Sequence, residues 1–109
     1  YNANPSSMEV AIDNLSKIDG NKIAILGAMK ELGDYSEKEH TSLVNKCLKT
    51  DINMIIIVGK EFESIVLNPR IIYFESTLEA KDWFMTNYFT HSTILIKGSR
   101  SKAIKKILE

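Results

Sequence analysis

Cysteine is almost missing from this chain: Cys47 is the single one in 109 residues. A lone thiol excludes an intramolecular disulfide and points to a reducing compartment. It falls on the apolar side of a predicted helix, which reads as a small core residue rather than a nucleophile. No apolar run approaches the roughly 18 residues needed to span a bilayer, and no signal peptide stands at the start, so no membrane insertion is expected. An excess of one charge is missing too. Fourteen basic residues balance fourteen acidic ones, which gives no reason to expect a nucleic-acid partner. There is no Gly-x-x-x-x-Gly-Lys-Ser/Thr phosphate loop, no Gly-x-Gly-x-x-Gly and no zinc spacing of Cys and His, so no metal ligands are assigned. Ser6, Ser7, Ser36, Ser99 and Ser101 each have a capping or turn role open to them, and none stands out as a nucleophile. No catalytic residue is assigned within the chain. It reads as a contributor to a site.

What is present is the composition of an ordinary globular domain, 44% hydrophobic and 26% charged, with room for one core. The elements are sharply punctuated. Ser6 to Ile18 reads as an amphipathic helix with Met8, Ala11, Ile12, Leu15 and Ile18 on one stripe. Its start admits two readings, a Ser6–Glu9 capping box or Asn4 as cap with Pro5 in the first turn. Lys22 to Leu26 reads as a buried strand ending at Gly27, followed by a loop to Tyr35. Ser36-Glu37-Lys38-Glu39 has the form of a capping box opening a helix to about Leu48, with His40, Leu43, Val44, Cys47 and Leu48 on its apolar stripe. Met54 to Val58 is a continuous apolar strand ending at Gly59, and Ile71 to Phe74 is a shorter strand. Ser76 to Glu79 starts a helix expected to reach Tyr88, Thr93 to Ile96 is the last strand, and a final helix carries Ile104, Ile107 and Leu108. The alternation predicts a three-layer α/β/α, Rossmann-like domain over residues 1–109, with a mostly parallel sheet. A strand before Tyr1 would complete the pattern, so the chain is expected to lack its first strand and to begin inside a longer protein.

Ligands of an open parallel sheet bind beyond the carboxyl ends of its strands. Three loops fall there: Tyr1 to Ser7, Gly27 to Tyr35, and Lys97 to Ser101. The first gathers polar side chains at a helix N-terminus, which suits an anion or is an ordinary cap. Lys97-Gly98-Ser99-Arg100 joins a flexible turn, a hydroxyl and a guanidinium that can grip a carboxylate or phosphate, or it is a plain strand-to-helix turn. Lys97, Arg100, Lys102, Lys105 and Lys106 make this end locally basic. His40 sits near the same edge as either a satisfied core histidine or a ligand contact. Glu31 and Asp34 are loop acids that could approach a ligand or simply be solvated.

Three stretches carry a resemblance. Tyr1-Asn2-Ala3-Asn4-Pro5 with Ser7-Met8, then Ile25 to Gly33 continuing through Tyr35-Ser36-Glu37 and His40, then Leu95 to Ser101, occur in the order and spacing of the C-terminal domain of the Mur ligases. They are most similar to the branch that joins D-alanyl-D-alanine to UDP-N-acetylmuramoyl-tripeptide. The resemblance implies an ATP-dependent, amide-forming enzyme of bacterial cytoplasmic peptidoglycan synthesis. In it, ATP with Mg²⁺ phosphorylates a peptide carboxylate, and the amine of the dipeptide displaces the phosphate. It implies that ATP and Mg²⁺ are held mainly by a central domain, and the UDP-sugar by an N-terminal one. This domain would then close over the nucleotide and hold the incoming dipeptide, and on its own would be inactive. By the same resemblance, Tyr1, Asn2 and Asn4 would lie near the nucleotide. Gly27, Ala28, Met29, His40, Lys97, Gly98, Ser99 and Arg100 would lie near the dipeptide. One departure stands out: the family usually carries an acid where this chain has Ala28, a role a neighbour such as Glu31 could take. Two other readings stay open, a sibling ligase domain adding a different amino acid and a standalone α/β binding module.

Overall fold

A computed structural model describes residues 3–108. In chain order the elements are α1 (Pro5–Ser16), β1 (Asn21–Gly27), α2 (Ser36–Leu48), β2 (Met54–Val58), β3 (Ile71–Phe74), α3 (Thr77–Phe84), β4 (Ser92–Lys97) and α4 (Ser101–Leu108), with short 3₁₀ turns at Gly33–Tyr35 and Lys60–Phe62. The four strands pair in the order β3-β2-β1-β4, and every pairing is parallel.

The isoleucine-rich strands are buried because both sheet faces are covered, and alternate residues serve opposite cores. Ala24, Leu26, Ile55 and Ile57 face Met8, Ile12 and Leu15 of α1 and Leu43, Val44 and Cys47 of α2. Ile23, Ile25, Ile56 and Val58 face Ala80 and Phe84 of α3 and Ile104 of α4. The expected three-layer α/β/α architecture is therefore what forms.

Several boundaries differ from expectation for local reasons. At α1 nothing is overturned, since of the two starts left open the one with Asn4 as cap and Pro5 in the first turn forms: the Asn4 Oδ1 accepts from the Ser7 N–H at 2.9 Å, while Ser7 Oγ accepts from the Asn4 N–H at 3.1 Å. That helix stops at Ser16, where Lys17 and Ile18 tighten onto carbonyls three residues back, and Ile18 turns outward at 42% exposure. Ser36 caps nothing, because the 3₁₀ turn runs straight into α2 with Tyr35 in helical conformation. Ser76 does cap α3, but the Glu79 carboxylate accepts from the Glu75 N–H and not from the cap itself. Helix α3 ends four residues early, at Phe84. The Thr86 hydroxyl and the Asn87 amide both donate to the Trp83 carbonyl, side-chain bonds that compete with the helical ladder. Phe89, rather than the exposed Tyr88, turns back onto Trp83 and Phe84.

Candidate functional site at the carboxyl edge of the sheet

The chain steps from β1 to β2 to β3 in one direction, then crosses back to lay β4 on the other side of β1. The adjacent carboxyl ends of β1 and β4 are thus the topological switch point, the usual position of a ligand crevice. Two glycines make their junction. A Cβ on Gly27 would collide with the Ser99 carbonyl oxygen, and one on Gly98 would lie 2.6 Å from the Gly27 carbonyl carbon and 2.7 Å from its nitrogen. Gly98 also has φ +110°, which L side chains rarely adopt. The Ser99 N–H donates to the Ala28 carbonyl at 2.9 Å. The glycines are used here for the close approach of one loop to another.

Below this junction lies His40, fully buried. Its Nε2 accepts from the Met29 N–H at 2.9 Å, and its Nδ1 lies 2.7 Å from the Ser36 carbonyl, which it can only reach as a donor. The two partners therefore select the Nδ1–H tautomer. The ring meets Phe62 edge-on at 4.7 Å between centroids. With both nitrogens taken by backbone, His40 holds the Gly27–Tyr35 loop onto α2 from underneath.

Of the residues singled out for the dipeptide, Gly27, Ala28, Met29, His40 and Gly98 are buried, Lys97 and Ser99 are half-buried, and Arg100 is exposed. Ser99 Oγ is buried without a hydrogen-bond partner among the described residues. Asn4 opens α1, which packs beside β4, and its side-chain oxygen is committed to the helix cap. Tyr1 and Asn2 lie outside the described residues. Glu31 is exposed with φ +62°, so it shapes the loop's turn, and Asp34 sits exposed in the 3₁₀ turn.

A second set of side chains at this edge was not anticipated from the sequence. Lys30 and Glu61 pair at 2.8 Å, joining the loops after β1 and β2. Lys60 and Glu75 pair at 3.3 Å, joining those after β2 and β3. With Ser76, Glu79 and Arg100, the residues Lys60, Glu61 and Glu75 line an open groove of about 620 Å³. Partial burial pushes the Glu61 carboxyl up. The Lys30 hydrogen bond, a backbone bond and the charges of Lys30 and Arg100 outweigh that and hold it below its ordinary value. The available signal was Gly59, a glycine closing an apolar strand just as Gly27 does.

The family described as Mur ligase, glutamate ligase domain, matches residues 1–100 of this chain. The chain belongs to that family. Among curated relatives, this Mur ligase domain is 35% identical over 115 residues to the UDP-N-acetylmuramoyl-tripeptide–D-alanyl-D-alanine ligase of Buchnera aphidicola subsp. Acyrthosiphon pisum, covering all of this chain and 25% of that protein. Among solved structures, it matches 99% of its length to 26% of a MurF from Acinetobacter baumannii, with TM-score 0.83 and 28% identity. It also matches the MurF ligase of Thermotoga maritima, solved in complex with ADP, at TM-score 0.79 and 25% identity over 99% of this chain and 26% of that one. The Mur ligase domain described here thus spans about a quarter of the length of these relatives.

Proposed function

We propose that this chain is the C-terminal domain of a three-domain, ATP-dependent amide ligase that joins D-alanyl-D-alanine to UDP-N-acetylmuramoyl-tripeptide in cytoplasmic peptidoglycan precursor synthesis. The observation that carries the reading is a coincidence of two independent lines. The chain aligns over its whole length with relatives bearing that name, and two of the stretches that carry the resemblance meet at the switch point through Gly27, Gly98 and the Ser99–Ala28 hydrogen bond.

Bound ATP with Mg²⁺ supplies the phosphoryl group that activates the tripeptide carboxylate. The share of this domain is to bind and orient. Exposed Arg100 offers paired N–H donors to the dipeptide carboxylate. Ser99, Lys97 and the Gly27–Met29 backbone form the floor beside it, and His40 fixes that floor in place. With the dipeptide held by its carboxylate, its amine faces the activated acyl group, and phosphate departs as the amide forms. Tyr1, Asn2 and Asn4 are assigned to the nucleotide side, at the positive N-terminal end of α1. The Mg²⁺ ligands are assigned, by the same resemblance, to the central domain.

The test is phosphate release by the full-length protein with ATP, Mg²⁺ and UDP-N-acetylmuramoyl-tripeptide, with D-alanyl-D-alanine compared against D-glutamate and other single amino acids. Release that depends on D-alanyl-D-alanine is expected. Release with D-glutamate and a shorter acceptor, but none with the dipeptide, would transfer the domain to a sibling ligase.

A further inference from the structure

Three loops at the carboxyl edge each contribute one charged side chain near Gly59: two of them, Glu61 and Arg100, reach over that glycine, and the third, Lys30, pairs with Glu61. Lys30 follows β1, Glu61 follows β2 and Arg100 follows β4. The two oxygens of Glu61 have separate surroundings. Its Oε2 lies 2.8 Å from Lys30 Nζ, while its Oε1 turns inward, 2.9 Å from where a Gly59 Cβ would stand. Arg100 Nη1 lies 3.4 Å and the Ala28 Cβ 3.5 Å from that same point. The absent side chain of Gly59 is therefore the space in which carboxylate and guanidinium face one another, without closing to an ion pair among the described residues.

We infer that Glu61, braced by Lys30, is a positioning residue that holds the Arg100 guanidinium over Gly59 and ready for the carboxylate of the incoming dipeptide. This rests on the ligase reading above. A long, exposed arginine otherwise spreads over many rotamers, and ordering it on binding costs affinity. A fixed negative charge on one side confines it, and because the pair stays open the N–H donors remain for a ligand. The backbone adds to this, since Arg100 itself stands at φ +67° immediately before α4. A partly exposed pair such as Lys30–Glu61, with side-chain exposures of 54% and 26%, adds little to stability. Its effect falls instead on where Arg100 stands.

The experiment uses the full-length protein, with steady-state phosphate release measured against D-alanyl-D-alanine and separately against ATP for wild type, Glu61→Gln, Glu61→Asp, Arg100→Ala and the Glu61→Gln/Arg100→Ala double variant. Glu61→Gln is expected to raise the dipeptide KM about tenfold, the size of coupling usual for neighbouring charged groups, with kcat and the ATP KM holding. Glu61→Asp should recover part of that loss, and the double variant should be no worse than Arg100→Ala alone. Urea midpoints of the variants check that each is folded, and Glu61→Gln should leave the midpoint in place. Effects that multiply in the double variant, or a shift in the ATP KM in place of the dipeptide KM, would overturn the positioning role while leaving the ligase reading intact. A wild-type enzyme silent to the dipeptide would overturn both.

Discussion

Replacing His40 by Phe isolates what the buried imidazole does for the candidate site. An aromatic ring remains to meet Phe62 and no cavity opens. The six-membered ring is larger than imidazole, however, and its crowding in a fully buried site adds to the lost hydrogen bonds. What disappears are the acceptor for the Met29 N–H and the donor to the Ser36 carbonyl. The Met29 N–H is buried, and leaving such a donor unpaired costs about 1–3 kcal/mol. Ser36 loses one bond of ordinary strength, worth about 0.5–1.5 kcal/mol. The variant should therefore unfold with at least about 1.5 kcal/mol less stability, measured by urea titration followed by circular dichroism, at unchanged m-value. Amide exchange locates the effect: Met29 should fall from the slowly exchanging class toward local opening, while Ile56 in the central sheet should follow global unfolding in both proteins. A loss below about 0.5 kcal/mol, or unaltered protection at Met29, would refute the view that His40 clamps the loop.

Two further outcomes follow from the packing. Gly98→Ala forces a Cβ against the Gly27 backbone at φ +110° and should cost about 3 kcal/mol or more, whereas Gly20→Ala, with φ +93° but nothing within 4 Å, should cost about 1–2 kcal/mol; equal urea midpoints would remove the loop junction from the account. Burial pushes the Cys47 thiol from 9.0 up to about 12. A folded value above the unfolded one gives stability that is complete below about pH 9 and drains away as pH rises toward 12, by at most about 1.4 kcal/mol per pH unit. Comparing unfolding free energies over that window should therefore show a steeper decline in wild type than in Cys47→Ala, and parallel curves would contradict the burial.

Strands β2 and β3 and helix α2 fall on the residues that the apolar patterns predicted, because short β-branched and aromatic runs bounded by glycine or turn residues favour strands and a 3.6-residue stripe favours a helix. Element ends were harder to read. At α3 the competitors are the Thr86 and Asn87 side chains, which take the Trp83 carbonyl, while Phe89 folds back onto the Trp83 ring. At α2 the Ser-x-x-Glu pattern was present, but the preceding 3₁₀ turn had already occupied the cap's place. The candidate site was legible as loops and not as partners. Sheet-edge logic selected Gly27 and Lys97 to Arg100 without any contact being known. The Lys30–Glu61 pair joins residues 31 apart in sequence, so its register depends on how β1 and β2 align, which no local pattern encodes. His40 was left between core and ligand because the answer lies in two backbone groups, one before it in the loop and one in its own helix.

The opposite edge of the sheet is built differently. There Arg70 donates to the carbonyls of Leu48, Thr50 and Ile52 at 2.5–2.9 Å, tying the entry of β3 to the end of α2. Buried Lys22 reaches Asp51 at 2.6 Å and the Ser16 carbonyl at 3.3 Å. Side chains there grip main chain, so the amino edge behaves as a hub whose integrity does not depend on what the far rim carries. For protein engineering this separates two kinds of position: the rim beyond Gly59 can be rewritten for a new ligand charge by charge, whereas a change at Arg70 would release edge strand and helix together.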